Sequence, residues 1–493
     1  MKDRPDINDT VRDEGADAAR GRSDKARIYD GKASSGPPFA PAFSDEAIAL
    51  RFAAERKDEL RYVSAWGKWL RWDGQRWEDD QTLYAFDRVR ETCREVSRET
   101  NNMREAKRIA SGKTVGAVER LARADRRLAA TVDQWDRDPM LLSTPGGVVD
   151  LRSGEIRQAR PDDYLTKITA VAPDVGEDAC PLWLAFLDRI FAGDQEMIAF
   201  VQRMLGYCLT GLATENSLFF NYGTGQNGKS TMMETVIYIM RDYHCVMPIE
   251  ALTHSDRDRH PTEIAKLHRV RLATAVETEE GRRWAESKIK VLTGGDRLTG
   301  RFMRMDFFDF DPTHKLVVSG NHKPGLRSVN EAFRQRMKMI PYLITIPVEE
   351  RDDKFKEKLR VEAAGILAWI IRGCVAWRKE GLKPPQTVLD ATKAYLDSQD
   401  SMPDWVGACC VVGANEFCER GALFASWKAW AERNNEPVGD RNQFYQRLEN
   451  HGYVPGKARV SGLNERVHRG LRLATRLEDE ARDEGESEPE IPF

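Results

Sequence analysis

Gly223-Thr224-Gly225-Gln226-Asn227-Gly228-Lys229-Ser230 fits G-x-x-x-x-G-K-[ST], the spelling of a loop that wraps nucleotide phosphates. Glycines let backbone N–H groups turn inward around an anion, and a following helix adds the positive end of its dipole. On this reading Gly223, Thr224, Gly225, Gln226, Asn227, Gly228, Lys229, Ser230 and Thr231 form the nucleotide-binding set. Lys229 reaches the β- and γ-phosphates and the Ser230 hydroxyl holds Mg²⁺. The flanks agree. Residues 218–222 read as a short buried strand, and residues 231–237 open an apolar-periodic helix, the strand–loop–helix setting such a motif requires.

The 493 residues imply two to four domains. A net charge of −3 excludes a global basic field, but 76 Lys and Arg leave room for local basic surfaces. Eight cysteines lack C-x-x-C pairs, and Cys409-Cys410 are adjacent, so reduced thiols are expected and a zinc site is not. The most apolar helical stretch, residues 363–377, is interrupted by Arg372 and too short to span a bilayer. No signal peptide is visible, so the expectation is a soluble cytoplasmic protein without a membrane partner.

Six segments follow from composition and periodicity. Residues 1–42 mix charges with Gly, Ser and Pro and read as a disordered arm. Residues 43–180 form an α+β lead-in domain. In it, Trp69-Leu70-Arg71-Trp72, Asp73-Gly74 and Gln75-Arg76-Trp77 read as a hairpin. Its tryptophans suit cross-strand packing or base stacking. A long charged helix is expected from about 83 to 111, a second hairpin over 148–156 and a polar linker from Pro173 to Pro181. Residues 181–345 hold the nucleotide-binding core, whose first helices bury Trp183, Phe186, Leu187, Phe191, Phe200 and Leu205. Residues 346–405 are helical, residues 415–475 a small module, and residues 476–493 an acidic tail.

A phosphate-wrapping loop needs a second strand that presents carboxylates to the metal and to the attacking water. Residues 271–277 are a small-residue strand running into Glu277, Glu279 and Glu280. Glu277 is placed to touch the metal, with Glu279 or Glu280 orienting the water; the metal set is thus Ser230 and Glu277. A third strand, residues 314–320, ends at Asn321, a candidate to hydrogen-bond the γ-phosphate or its water. Arg334 and Arg336 precede Ile340-Pro341. A guanidinium inserted into a neighbouring subunit's site would stabilise charge on the transferred phosphoryl group, whereas the plainer reading is two exposed arginines on a helix. The catalytic set is therefore Lys229, Glu277, Glu279, Asn321 and Arg336.

Lys288-Ile289-Lys290-Val291-Leu292-Thr293-Gly294-Gly295-Asp296 follows the acidic strand. The order of loop, acidic strand, K-x-L-T-G-G-D segment, Asn-tipped strand and Arg before Ile-Pro resembles superfamily 3 helicases. It is closest to the phage and plasmid primase–helicase branch that includes the poxvirus-type ATPase. Asp162-Asp163-Tyr164-Leu165-Thr166-Lys167, Cys180-Pro181-Leu182-Trp183 and residues 205–211 resemble that branch's lead-in region, and residues 359–369 its helical lid. The resemblance covers roughly residues 45–400.

It implies an α/β fold: an AAA+-like P-loop ATPase core with the lead-in domain before it and the lid after it. It also implies a hexameric ring that hydrolyses ATP with Mg²⁺ at subunit interfaces and translocates 3′ to 5′ on single-stranded and forked DNA. By motif position Arg336 is the finger, with Arg334 the alternative. Residues 296–312 form a DNA-gripping hairpin, with Arg301 and Arg304 as its phosphate contacts and Lys290 as a further DNA-binding residue. One departure concerns the acidic strand, which reads Glu-Thr-Glu-Glu rather than adjacent acids at the strand end. No primase aspartate pair or zinc motif precedes the core, so priming is not expected of these residues.

In residues 415–475 two amphipathic stretches precede a glycine-punctuated basic hairpin holding Lys457 and Arg459. These read as a winged helix-turn-helix that binds DNA, or as a domain that only packs on the ring. The acidic tail ends Ile491-Pro492-Phe493. It resembles the tips by which single-stranded-DNA-binding proteins recruit host replication enzymes; a solubilising tail is the alternative. The expected function is a replicative DNA helicase of a mobile element, with an origin-binding initiator or a primase–helicase as alternatives.

Overall fold

The computed structural model describes residues 40–176, 179–254, 262–277, 282–326, 331–434, 436, 438–460 and 463–475. The chain begins with α1 (Asp45–Arg56), β1 (Leu60–Val63), β2 (Lys68–Trp72), β3 (Trp77–Asp79), α2 (Tyr84–Glu99), α3 (Met103–Ile109), α4 (Gly112–Ala122) and β4 (Ala129–Ala130). Next come β5 (Leu141–Thr144), β6 (Gly147–Asp150), β7 (Glu155–Arg157), α5 (Pro181–Ile190), α6 (Gln195–Leu209), β8 (Leu218–Tyr222), α7 (Lys229–Met240) and β9 (His244–Val246). Then follow α8 (Thr262–Ala265), β10 (Leu272–Glu277), α9 (Glu286–Thr293), β11 (Leu298–Gly300), β12 (Phe308–Phe310), β13 (Lys315–Gly320), α10 (Glu331–Arg336) and β14 (Met337–Pro341). The last elements are α11 (Phe355–Val361), α12 (Ala363–Glu380), α13 (Gln386–Asp397), α14 (Met402–Cys409), β15 (Cys410–Glu419), α15 (Arg420–Arg433), α16 (Arg441–Asn450), β16 (Val454–Val460) and β17 (Leu463–Leu473).

Among the described residues, 40–69 and 80–130 form a smaller compact unit, and 70–79 with 131–475 a larger one. In the smaller unit, Ile48 and Phe52 of α1 pack with Val89 and Cys93 of α2 and Val118 of α4. The single helix expected over 83–111 is instead broken. Thr100 is extended, and the Asn102 side chain accepts hydrogen bonds from the Arg104 and Glu105 amides, starting α3 afresh. A short polar side chain that satisfies helix-start donors outcompetes continuation of the helix. The break leaves α2 and α4 free to share one core. Trp69 is buried here, its indole N–H donating to Glu119 at 2.6 Å.

In the larger unit the β2–β3 hairpin pairs Trp72 with Trp77. Asp73 accepts hydrogen bonds from the Gln75 and Arg76 amides across the loop. Trp77 is fully buried, edge-on to Trp135 at 5.7 Å, so it packs rather than stacks a base. The second hairpin is present as β6–β7, with Val149 opposite Ile156.

The central sheet runs β14-β8-β13-β10-β9, and every pairing in it is parallel. Alternation sorts its apolar residues onto two covered faces, as a parallel sheet requires. Phe219, Val317, Leu272 and Ile340 meet α5, α6, α7 and α12. Leu218, Phe220, Ala273, Leu316, Val318 and Met339 meet Trp284, Ile289, Phe333 and Tyr395. The helices α6 and α12 touch backbone to backbone at Gly206 and Gly373. A Cβ on Gly206 would overlap the Cys374 backbone, and one on Gly373 the Gln202 carbonyl.

The C-terminal residues share one core of Met402, Trp405, Leu423, Trp427, Phe444, Leu448 and Leu471. An antiparallel sheet, β15-β17-β16, lies against it. Its first helix, α14, begins ahead of residue 415. Among the described residues no helix is long and apolar enough to cross a membrane.

Candidate nucleotide site

Strand register brings the sequence candidates to one edge of the sheet. β13 lies between β8 and β10, with Gly320 opposite both Tyr222 and Glu277. The loop therefore starts one strand away from Asn321, which follows β13, and two strands away from Glu277, which ends β10. Adjacent strands are about 4.8 Å apart, so backbone alone sets Glu277 about 10 Å from the loop's root.

The loop needs its glycines. Gly225 and Gly228 have φ of 104° and 84°, a region that side-chain-bearing residues rarely adopt. A Cβ on Gly228 would press into Ile190 Cγ2 at 2.6 Å, and one on Gly223 would overlap the Tyr342 carbonyl oxygen. Asn227 is buried and donates to that same carbonyl at 3.2 Å, while the Ile346 amide donates to the Gln226 carbonyl at 2.8 Å. The segment after β14 thus seats the loop. Gly228 caps α7, whose first residues are Lys229 and Ser230.

Lys229 is buried, and its ammonium donates to the Gly223 carbonyl at 2.7 Å, Asn227 Oδ1 at 3.1 Å and Asn321 Oδ1 at 3.2 Å. Burial holds its pKa below the ordinary lysine value. A partly desolvated cation surrounded by neutral oxygens gains from an anion. Thr224, Gln226 and the Ser230 hydroxyl stand at the exposed side of the loop, and Thr231 is half-buried.

Glu277 is buried, with Arg282 Nε 3.8 Å from its Oε1. Arg282 was not singled out from sequence, because nothing in its spelling distinguishes it from surface arginines. Lys323 was also passed over; its ammonium lies 4.2 Å from the Tyr222 ring centroid beside Asn321. Burial lowers its pKa too. Glu279 and Glu280 lie outside the described residues. Arg336 ends α10, its Nε donating to Thr293 Oγ1 at 3.2 Å and its Nη1 to the Ala332 carbonyl at 2.7 Å. Arg334 instead faces Asp397 at 3.4 Å.

Lys290 is half-buried on α9. Beyond it β11 and β12 pair as a hairpin, Gly300 opposite Phe308. Arg301 lies over the Phe307 ring at 4.6 Å, and Arg304 sits at the tip with φ of 62°. Phe302, Met303, Met305 and Phe307 are all exposed there. Lys457 and Arg459 are exposed on β16, and Lys457 stands directly opposite Arg466 of β17.

The site fits a nucleotide with a divalent cation. Gly223 and Gly228 have no room for a side chain, the buried ammonium is held by exchangeable oxygens, and Ser230 with Glu277 supplies hard oxygen donors at the same sheet edge.

The family described as D5 N terminal like matches residues 49–192. A family of unknown function, DUF5906, matches residues 221–336. A protein of Acanthamoeba polyphaga mimivirus provisionally named helicase L207/L206 is 27% identical over 294 residues, 55% of this chain and 30% of that protein. One of Frog virus 3 provisionally named helicase 022R is 26% identical over 333 residues, 63% of this chain and 32% of that protein. The chain thus spans about a third of the length of these curated relatives. An apo structure of the NrS-1 C terminal region superposes with a TM-score of 0.50 at 9% identity, covering 86% of this chain and 98% of that one. That likeness concerns the fold alone.

The architecture is therefore a mixed α/β one. In its two matched segments and its helicase-named viral relatives, the chain is similar to D5-like helicases.

Proposed function

We propose that the chain is the ATP-hydrolysing motor of a replicative DNA helicase from a phage, plasmid or integrated element. In this reading it works as a ring, a hexamer, moving 3′ to 5′ on single-stranded DNA. The observation that carries the reading is the contact of Lys229 Nζ with Asn227 and Asn321 at a sheet edge that also ends in Glu277.

Lys229 binds the β- and γ-phosphates in exchange for its present oxygen partners, and the loop's amides turn to the same anion. Ser230 and Glu277 would hold Mg²⁺, which when bound offsets phosphate charge. Asn321 positions the γ-phosphate or the attacking water. Glu277, or an acid just after it, orients that water. Arg336 would act on the site of a neighbouring copy, with Arg334 as the alternative. The hairpin's Arg301 and Arg304 contact DNA phosphates, as does Lys290 of α9.

Residues 402–473 serve as a winged helix-turn-helix, with α16 offering Asn442, Gln443 and Gln446 at its exposed face. Like charges facing each other across a strand pair are destabilising, so the Lys457–Arg466 pair makes sense on a wing that meets phosphates. That pair favours a second reading, an origin-binding initiator in which ATP controls assembly with little unwinding. Residues 346–397 act as the lid. The tail that would dock host replication proteins lies outside the described residues.

Strand displacement on forked DNA by wild type and Lys229→Ala tests the proposal. Unwinding that needs ATP and vanishes in the variant supports the helicase. Site-specific binding without unwinding supports the initiator and rejects the motor reading.

A further inference from the structure

The smaller unit carries a surplus of positive charge that neither the fold nor the nucleotide site uses. Residues 98–127 hold nine basic and four acidic residues, in a chain whose net charge is −3. All four acids are engaged locally. Glu99 pairs with Arg51 at 2.5 Å, and Asp125 with Arg127 at 2.6 Å. Glu119 holds both Trp69 Nε1 and Arg123 Nε. Glu105 accepts from Thr100 Oγ1 at 3.1 Å and faces Arg108 at 3.9 Å. By contrast, Arg98, Arg104, Lys107, Lys113, Arg120 and Arg126 are exposed, and no carboxylate among the described residues lies within ion-pair distance of them.

Their spacing groups them. Arg104 and Lys107 are three apart on α3, and Lys113 and Arg120 seven apart on α4, so each pair shares a helix face. Lys113 and Arg120 are about 10 Å apart along the axis, a length over which a duplex presents about six phosphates. The Asn102 cap that breaks the expected long helix is what sets α3 and α4 beside the end of α2, gathering these side chains in one compact unit.

We propose that this basic face of α2, α3 and α4 binds the sugar–phosphate backbone of duplex DNA. The partner follows from two features. Six cations with no carboxylate partner among the described residues match a polyanion, and their number suits sequence-independent backbone contact. Residues 98–127 contain no aromatic side chain, so the face lacks the stacking platform by which single strands are held. On the function proposed above, the duplex ahead of a fork, or flanking an origin, is thereby held by residues of the smaller unit.

Equilibrium binding without nucleotide tests this independently of any ATPase activity. The full-length chain carrying Arg104→Gln, Lys107→Gln, Lys113→Gln and Arg120→Gln is compared with one carrying Arg372→Gln, Lys379→Gln, Lys393→Gln and Lys428→Gln. Both are made in a Lys457→Gln/Arg459→Gln background, so that binding by the wing does not mask the change. Anisotropy titrations use a 30-base-pair duplex and a 30-nucleotide single strand over a range of salt. The first set is expected to weaken duplex binding by about tenfold or more and flatten the salt slope by about 3.6, near 0.9 for each of four lost phosphate contacts. Single-strand binding stays within about twofold. Unchanged duplex affinity and slope overturn the proposal, and an equal loss on single strands overturns the duplex assignment. Should the variant misfold, acetylation of the unmodified chain decides. Duplex must slow modification of Lys107 and Lys113 but not of Lys379 and Lys393, and absence of that protection rejects the surface.

Discussion

Two buried lysines sit at opposite edges of the central sheet and differ instructively. Lys229 stands at the edge where the strands end, and Lys315 begins β13 at the other. Each ammonium is satisfied by neutral oxygens. Those of Lys229 come from Gly223, Asn227 and Asn321. Those of Lys315 are the carbonyls of Thr210, Leu212 and Thr313, with the Tyr207 ring 5.0 Å away. Burial depresses both pKa values, that of Lys315 to about 7. What separates them is access. The acceptors of Lys229 belong to a glycine loop and two amide side chains that can yield to a phosphate. Those of Lys315 belong to the backbone that ends α6 and leads into β13, closed beneath Tyr207. Burial makes a lysine costly; only exchangeable partners make it a binding group.

Breaking each lysine should separate the two roles. Lys229→Ala is expected to lower ATP turnover by about a thousandfold, in line with losing a preorganised contact to developing phosphate charge. Its thermal midpoint should stay within about 2 °C of wild type. A steady-state ATPase assay with a melting curve checks both, and a collapse of the fold would erase the distinction.

The next largest effect is Gly373→Ala. Its Cβ would run into the Gln202 carbonyl of α6, and α6 leads into Thr210, whose carbonyl holds Lys315. Overpacking of this kind costs about 1–3 kcal/mol, read as a lower chemical-denaturation midpoint. The apparent KM for ATP should be unchanged below that midpoint, since the loop is seated by Tyr342 and Ile346 instead. Lys315→Met comes third. It leaves three carbonyls short of a donor at a cost of about 1–3 kcal/mol, with turnover per folded molecule preserved.

The loop edge was legible in the sequence because its chemistry is local. Consecutive glycines, a lysine and a hydroxyl must be adjacent, and strand tips at Glu277 and Asn321 follow from short apolar runs ending in polar residues. The short apolar strands β8, β10 and β13 followed for the same reason, whereas their parallel order came only with the fold. The Lys315 edge was not legible. Two of its three partners lie about a hundred residues upstream, and a lysine opening an apolar strand looks like a solvated end. The break at Thr100 to Asn102 was missed because charged periodicity runs through it, whereas capping by Asn102 depends on which conformation the core of α1, α2 and α4 rewards. Arg282 became visible beside Glu277 only once β10 was placed.

The smallest expected effect is a slope rather than a loss. A lysine whose folded pKa lies near 7 and whose unfolded value is about 10.4 keeps its proton in the unfolded chain across that window and sheds it in the folded one. The unfolded state then binds more protons, so stability rises with pH from 7 upward, by at most about 1.4 kcal/mol per unit. Below pH 7 both states are protonated and the slope vanishes. Cys208 and Cys374 lie beside Lys315 with thiol values pushed up to about 12 by burial. They act with the opposite sign once unfolded thiols ionise above about 8.5, so the clean interval is pH 7 to 8.5. Denaturation free energies of wild type and Lys315→Met across that interval should diverge as pH rises, wild type gaining on the variant. Parallel lines would mean that Lys315 stays charged among its carbonyls, and the two edges would then differ in access but not in the protonation of their lysines.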